Sequence, residues 1–227
     1  MAGFEALVRW HHPTRGRIGP NAFIPIAEDT GLIVPLGYWV LKTACYQLKD
    51  WHNSSQNYAL IMSVNLSGRQ LFQPDVAEQV AKVLEKTALP PQNLRLEITE
   101  SVLIRDFSES AKKLSQLSAL GVQLAIDDFG TGYSSLGRLR NFSVDVLKID
   151  RIFIHDMKLA PEGAEIVQAI VALGHGLQMR INAEGIESEC QLAKLREMGC
   201  DEGQGFLFAA SLRPKAAAAL LAESQQW

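Results

Sequence analysis

The chain has 227 residues, with 22 Lys and Arg against 25 Asp and Glu and a formal charge of -3. That length suits one domain, residues 1–227, around a single sizeable core. The near balance of charge argues against a general DNA-binding surface but leaves room for one anionic ligand held by a few groups. The opening residues lack the basic and apolar blocks of a signal peptide, and the apolar stretch from Gly31 to Leu41 is too short to span a bilayer. Cys45, Cys190 and Cys200 show no metal-type spacing, so reduced thiols in a cytosolic setting are the simplest expectation.

In chain order, strands are expected near residues 3–9, 59–65, 94–99, 122–127, 144–149, 179–184 and 203–208. A loop rich in His, Pro, Arg and Gly follows the first, from Trp10 to Asn21. Helical periodicity covers Val34 to Trp51, with Leu36, Val40, Leu41, Ala44 and Leu48 on one face. Further helices are expected over 75–87, 107–120, 164–177, 189–198 and 214–224. Pro74, Pro161 and Pro214 suit helix starts, while Gly121 and Gly199 suit helix ends. The five histidines lack ligand spacing and are expected on surfaces or in loops.

Most strands end on a polar group: Asn65, Glu97, Asp127, Asp150, Glu184 and Gln204 recur every 20 to 34 residues. That is the length of a strand, a helix and two loops, which implies parallel βα units. An open doubly wound sheet gathers ligands at one switch point, whereas a barrel draws residues from many strand ends. The spread of polar groups favours the α/β barrel. Only seven strands are found where a (β/α)₈ barrel needs eight, so the first strand is expected to be missing, leaving two exposed edges and part of an apolar lumen.

Acids gathered at strand ends are costly to hold together without a cation. Asp127 and Asp128 are adjacent, so both reach one site only if the backbone turns there, before the Gly-rich stretch from Phe129 to Ser135. A helix cap with two solvated acids is the plainer alternative. The Asp128-Phe129-Gly130 triplet also occurs in kinases, but neither a kinase phosphate loop nor a catalytic-loop signature accompanies it.

Glu5, Leu7 and Arg9 share a face if the first strand runs to Arg9. Glu5 and Arg9 then form either an ion pair or a ligand and a phosphate clamp. Lys148 shares a face with Asp150, as Asn182 does with Glu184. Lys148 assists chemistry or merely offsets the acids. Oxygen donors without His or Cys suit Mg²⁺ or Mn²⁺. With Arg and Lys nearby, the residues themselves point to a metal-dependent phosphohydrolase on a barrel.

The chain resembles the bacterial EAL domain family of cyclic di-GMP phosphodiesterases. The likeness is carried by Glu5-Ala6-Leu7, Phe23-Ile24-Pro25, Asn65-Leu66-Ser67, Glu97-Ile98-Thr99-Glu100, Asp127 through Leu136, Lys148-Ile149-Asp150, Ala183-Glu184-Gly185-Ile186-Glu187 and Gln204-Gly205-Phe206. It implies a modified TIM barrel that hydrolyses cyclic di-GMP to linear pGpG with Mg²⁺ or Mn²⁺ in a two-metal site and is inhibited by Ca²⁺. Glu5, Asn65, Glu97 and Asp127 would bind one metal, with Asp127 bridging to a second near Asp128 and Asp150. Glu184 would act as general base or order the nucleophilic water, assisted by Lys148. Arg9 and Gln204 would touch substrate, while Glu100 and Glu187 would brace loops. A catalytically silent cyclic di-GMP receptor is the alternative.

The resemblance also implies a homodimer excised from a larger cytoplasmic signalling protein, with sensory or GGDEF domains and a parent anchored in the inner membrane. The chain departs from the family at three places. A strand ahead of the Glu5 motif is lacking, Asn182 stands where an aliphatic residue is usual, and Ala209 and Ala210 replace a segment that often holds Arg and Pro.

Overall fold

A computed structural model describes residues 1–55, 57, 59–130, 139–157 and 161–222. Strand β1 (Gly3–Ala6) precedes a hairpin of β2 (Trp10–His12) and β3 (Gly16–Ile18), then helices α1 (Pro20–Thr30) and α2 (Ile33–Ser55). Strand β4 (Ile61–Asn65) leads to α3 (Gly68–Leu71) and α4 (Val76–Thr87), and β5 (Leu94–Thr99) to α5 (Glu100–Arg105) and α6 (Phe107–Ser118). After β6 (Gln123–Phe129) come β7 (Val146–Ile149), α7 (Arg151–Asp156) and α8 (Pro161–Gly176). The chain continues through β8 (Arg180–Glu184), α9 (Glu189–Glu197), β9 (Glu202–Gln204) and α10 (Pro214–Ala222).

Seven strands form one parallel sheet in the order β1-β4-β5-β6-β7-β8-β9, so each lies beside its nearest neighbour in sequence. The sheet curls until its two edge strands meet at the C-terminal rim, where Gln204 Nε2 donates to Glu5 Oε2 at 2.7 Å. This is the TIM-barrel-like architecture with seven strands that the pattern of strand-end polar groups favours. Between β1 and β9 lies a cleft of about 1260 Å³, flanked by Trp39 and Thr43 of α2, Leu192 of α9 and Leu220 of α10.

The core lies between sheet and helices. Val64, Leu96, Ile98, Leu124, Ile126, Leu147 and Ile181 point outward from their strands and are buried beneath the helical layer. The other strand face lines the lumen, and it is not apolar as expected. Arg95 of β5 reaches across to Glu202 of β9 with both terminal nitrogens, at 2.6 and 2.9 Å. Gln123 Oε1 accepts from Arg95 and from Arg180. This polar layer fills the N-terminal end of the barrel, where a closed barrel more often packs branched aliphatics.

Several expectations need correction. The first strand stops at Ala6, and Leu7 is 44% exposed, so period-two alternation does not carry on to Arg9. The last strand stops at Gln204, because Gly205 turns so close to Ile186 that a Cβ there would meet its backbone. The segment after Trp10 is a hairpin followed by a helix with Pro25 inside it. His52 is buried on α2 with its ring nitrogen 3.2 Å from the Leu60 carbonyl, rather than on a surface. The three cysteines are free, as expected. Among the described residues, no helix is long and apolar enough to cross a membrane.

Candidate active site and metal centre

The two adjacent aspartates are brought together by an irregularity in β6. Ile126 pairs with Leu147 and Phe129 with Ile149, so three steps on β6 match two on β7. The extra residue is a β-bulge, and Asp128 within it takes a left-handed φ of 53°. The turn that adjacency required is therefore present. One oxygen each from Asp127, Asp128 and Glu184 lie within 4.8 Å of one another.

Beneath this cluster sits the ammonium of Lys148, almost wholly buried. Its Nζ lies 2.6 Å from Glu97 Oε2, 2.9 Å from Asp127 Oδ1 and 2.7 Å from Glu184 Oε1. The ammonium donates to Glu97 and pairs with Glu184, while Asp127 Oδ1 lies within ion-pair reach without accepting a hydrogen bond among the described residues. Burial alone would lower the Lys148 pKa, but the fields of Glu97, Glu5, Glu184 and Asp127 overrule it and hold the group charged, well above the usual lysine range.

One ammonium cannot neutralise four acids. Burial pushes Glu97 and Glu184 each up to about 7, only partly opposed by Lys148. Asp128 is pushed up to about 6, first by burial and then by Asp127 and by a hydrogen bond with Asp150. Excess negative charge on oxygen donors alone fits a hard divalent cation.

Glu5 joins three strands. Its Oε1 accepts from Asn65 Nδ2 at 2.8 Å and its Oε2 accepts from Gln204. By register Asn65 is opposite Glu97, which places Glu5, Asn65 and Glu97 in adjoining positions on the rim side of the lumen. Arg9, beyond the end of β1, lines the same cleft and donates to Ser211 Oγ at 3.3 Å. Ala209 and Ala210 also line that cleft.

Asp150 caps α7, its Oδ1 accepting from Ile152 N at 2.7 Å. Buried Glu100 opens α5 and accepts from Gly130 N at 2.9 Å, at the start of the Gly-rich stretch. Gly130 has φ +96° and a Cβ there would strike the Phe153 ring, so glycine is required. Glu187 N donates to Gln191 Oε1 at the entry to α9. Residues 131–136 lie outside the described residues.

The Arg95, Gln123, Arg180 and Glu202 layer escaped sequence reasoning. Its signal was Arg95 itself, an inward position within Leu94-Arg95-Leu96-Glu97 that cannot be left unpaired in a buried strand.

The EAL domain family pattern matches residues 1–211, and the chain belongs to that family. It is 47% identical over 222 residues to the bifunctional diguanylate cyclase/cyclic di-GMP phosphodiesterase MucR of Pseudomonas aeruginosa, covering 98% of this chain and 32% of MucR. It is 44% identical over 216 residues to the cyclic di-GMP phosphodiesterase NbdA of the same organism, covering 95% of this chain and 27% of NbdA. The chain therefore spans only about a third or less of these relatives. A solved structure of the PaMucR phosphodiesterase in complex with c-di-GMP superposes with a TM-score of 0.92 at 45% identity, covering 96% of this chain and 87% of that one.

Proposed function

We propose that the domain is a divalent-cation-dependent phosphodiesterase that hydrolyses cyclic di-GMP to linear pGpG. The observation that carries this reading is the convergence of Asp127, Asp128 and Glu184 above Lys148, in a member of a family whose named relatives hydrolyse that ligand. Glu5, Asn65, Glu97 and Asp127 would hold one cation, and Asp127 with Asp128 and Asp150 the second. Mg²⁺ or Mn²⁺ there would offset charge on the phosphodiester and make a nearby water more acidic.

The protein's own groups supply the rest. Glu184, with its pKa near neutrality, accepts a proton from the water as its oxygen attacks phosphorus. The phosphorus–O3′ bond breaks, the leaving oxygen takes up a proton, and the phosphate stays on the 5′ side. Lys148 fixes Glu184 through their 2.7 Å ion pair. Arg9 lies on the cleft wall to clamp a phosphate oxygen, and Gln204 contacts substrate beside Glu5. Ca²⁺ prefers more ligands and longer bonds, so it would bind without supporting turnover.

The small share of each relative that the chain spans supports a parent signalling protein with sensory or GGDEF domains. We place the domain in the cytoplasm, with the parent anchored in the inner membrane, and acting as a homodimer. Cyclic di-GMP incubated with the domain and Mg²⁺ or Mn²⁺ should yield pGpG by chromatography. Tight binding without product in either metal would replace this reading with that of a silent receptor.

A further inference from the structure

Among the described residues, Asn182 is the lumen-facing residue of β8 whose side-chain oxygen has no partner, while Arg180 and Glu184 on either side are paired. It is 7% exposed, and its Oδ1 is sealed from solvent without accepting a hydrogen bond among the described residues. A buried acceptor left unpaired costs about 1–3 kcal/mol. An aliphatic residue would avoid that cost.

The register limits what can satisfy it. Asn182 lies opposite Lys148 of β7 on one side and Glu202 of β9 on the other. Glu202 is an acceptor, with both oxygens already engaged by Arg95 and Arg180. The terminal nitrogens of Arg95 are committed to Glu202 and Gln123. Lys148 is the adjoining donor, and its ammonium now forms ion pairs with Glu97, Asp127 and Glu184.

A divalent cation held by Glu97 and Asp127 would compete with the ammonium for these carboxylates and would repel it. Asn182 stands two residues before Glu184 on the same face, one layer further from the rim. We infer that Asn182 is a positioning residue: its Oδ1 accepts a hydrogen bond from the Lys148 ammonium when divalent cations take up the Glu97 and Asp127 carboxylates, and so holds Lys148 against Glu184. This rests on the reading that cations occupy the Asp127, Asp128 and Glu184 cluster.

The test compares the domain with Asn182→Leu, a change of similar shape that removes the acceptor. Without metal the variant should melt at or above the wild-type temperature, since nothing paired is lost. Mg²⁺ affinity by titration calorimetry should stay within about twofold of the wild type. At saturating Mg²⁺, kcat for cyclic di-GMP should fall about tenfold, as for other residues that orient a site's ligands, with KM little changed. In ¹⁵N-lysine-labelled protein, the Lys148 ammonium signal, assigned by its loss in Lys148→Met, should differ between wild type and variant only after Mg²⁺ is added.

An identical Lys148 signal in both Mg²⁺-loaded proteins overturns the inference, as does a fall in kcat matched by a lower metal-free melting temperature. Wild-type protein that binds Mg²⁺ but releases no pGpG would overturn the proposed reaction, and the Lys148 signal would still decide the role of Asn182. Failure to bind Mg²⁺ at all would overturn both.

Discussion

Arg95 and Glu202 face each other across the barrel lumen and pair through two parallel contacts, at 2.6 and 2.9 Å. Arg95 comes from the third strand of the sheet and Glu202 from the last. The pair therefore ties the edge strand β9 to the opposite wall, two residues before Gln204 reaches Glu5. Both side chains are largely buried, at 4% and 14% exposure.

Removing Arg95 leaves Glu202 Oε2 without its partner and only Arg180, at 2.9 Å, on Oε1. Arg95→Met should destabilise the domain by about 3–5 kcal/mol, whereas the double change Arg95→Met with Glu202→Leu should recover much of that loss. Urea unfolding of the two variants and the wild type measures the difference. Equal losses in the single and double variants would show that the ion pair is not what joins the walls.

Asp127→Asn should lower turnover by about a thousandfold and weaken cyclic di-GMP binding far less. Asp127 is shared between the acidic cluster and Lys148, whereas Arg9 and Gln204, the proposed ligand contacts, lie elsewhere along the cleft. Calorimetry for binding and chromatography for pGpG separate the two effects. Near-normal hydrolysis would contradict the two-metal assignment.

Glu100→Ala should reduce activity by about tenfold or more while leaving cation affinity intact. Glu100 reaches Gly130 N rather than the acidic cluster. Its loss frees the start of the Gly-rich stretch and deletes no cation ligand. If cation binding collapses as far as in Glu97→Ala, the bracing role is wrong.

Metal-free stability should fall as pH rises from about 5 to 7.5. Glu97 and Glu184 move from an ordinary 4.5 up to about 7 on folding, and Asp128 from 3.8 up to about 6. In that window the folded state binds more protons than the unfolded state, so raising pH favours unfolding. Lys148 shifts in the opposite sense to its burial but titrates far above this range. Melting curves in EDTA across the window test the sign, and added Mg²⁺ should flatten the dependence. A metal-free melting temperature that rises with pH would contradict the buried acid surplus.

Much of this site is legible in the residues because strands with a buried face repeat strictly every second position. Asn65, Glu97, Asp127, Lys148 and Glu184 all fall at inward positions near strand ends, and the structure brings them together. The bulge at Asp128 could be required from adjacency but not located, because it depends on register with β7. Arg9 was placed by an alternation that stops at Ala6, where pairing with β4 ends. Helix α1 was not among the expected helices; Pro20 sits at its opening turn and Pro25 is carried inside it. The cross-lumen Arg95–Glu202 pair joins residues 107 positions apart, and no local pattern can announce it.

The most direct measurement is product release from cyclic di-GMP in three parallel reactions, with Mg²⁺, Mn²⁺ and Ca²⁺, each against a Glu184→Gln control. Linear pGpG should form with Mg²⁺ or Mn²⁺, fail to form with Ca²⁺ and fall by at least about a hundredfold in the control. Binding of cyclic di-GMP in all three metals with no pGpG in any would contradict the hydrolytic account.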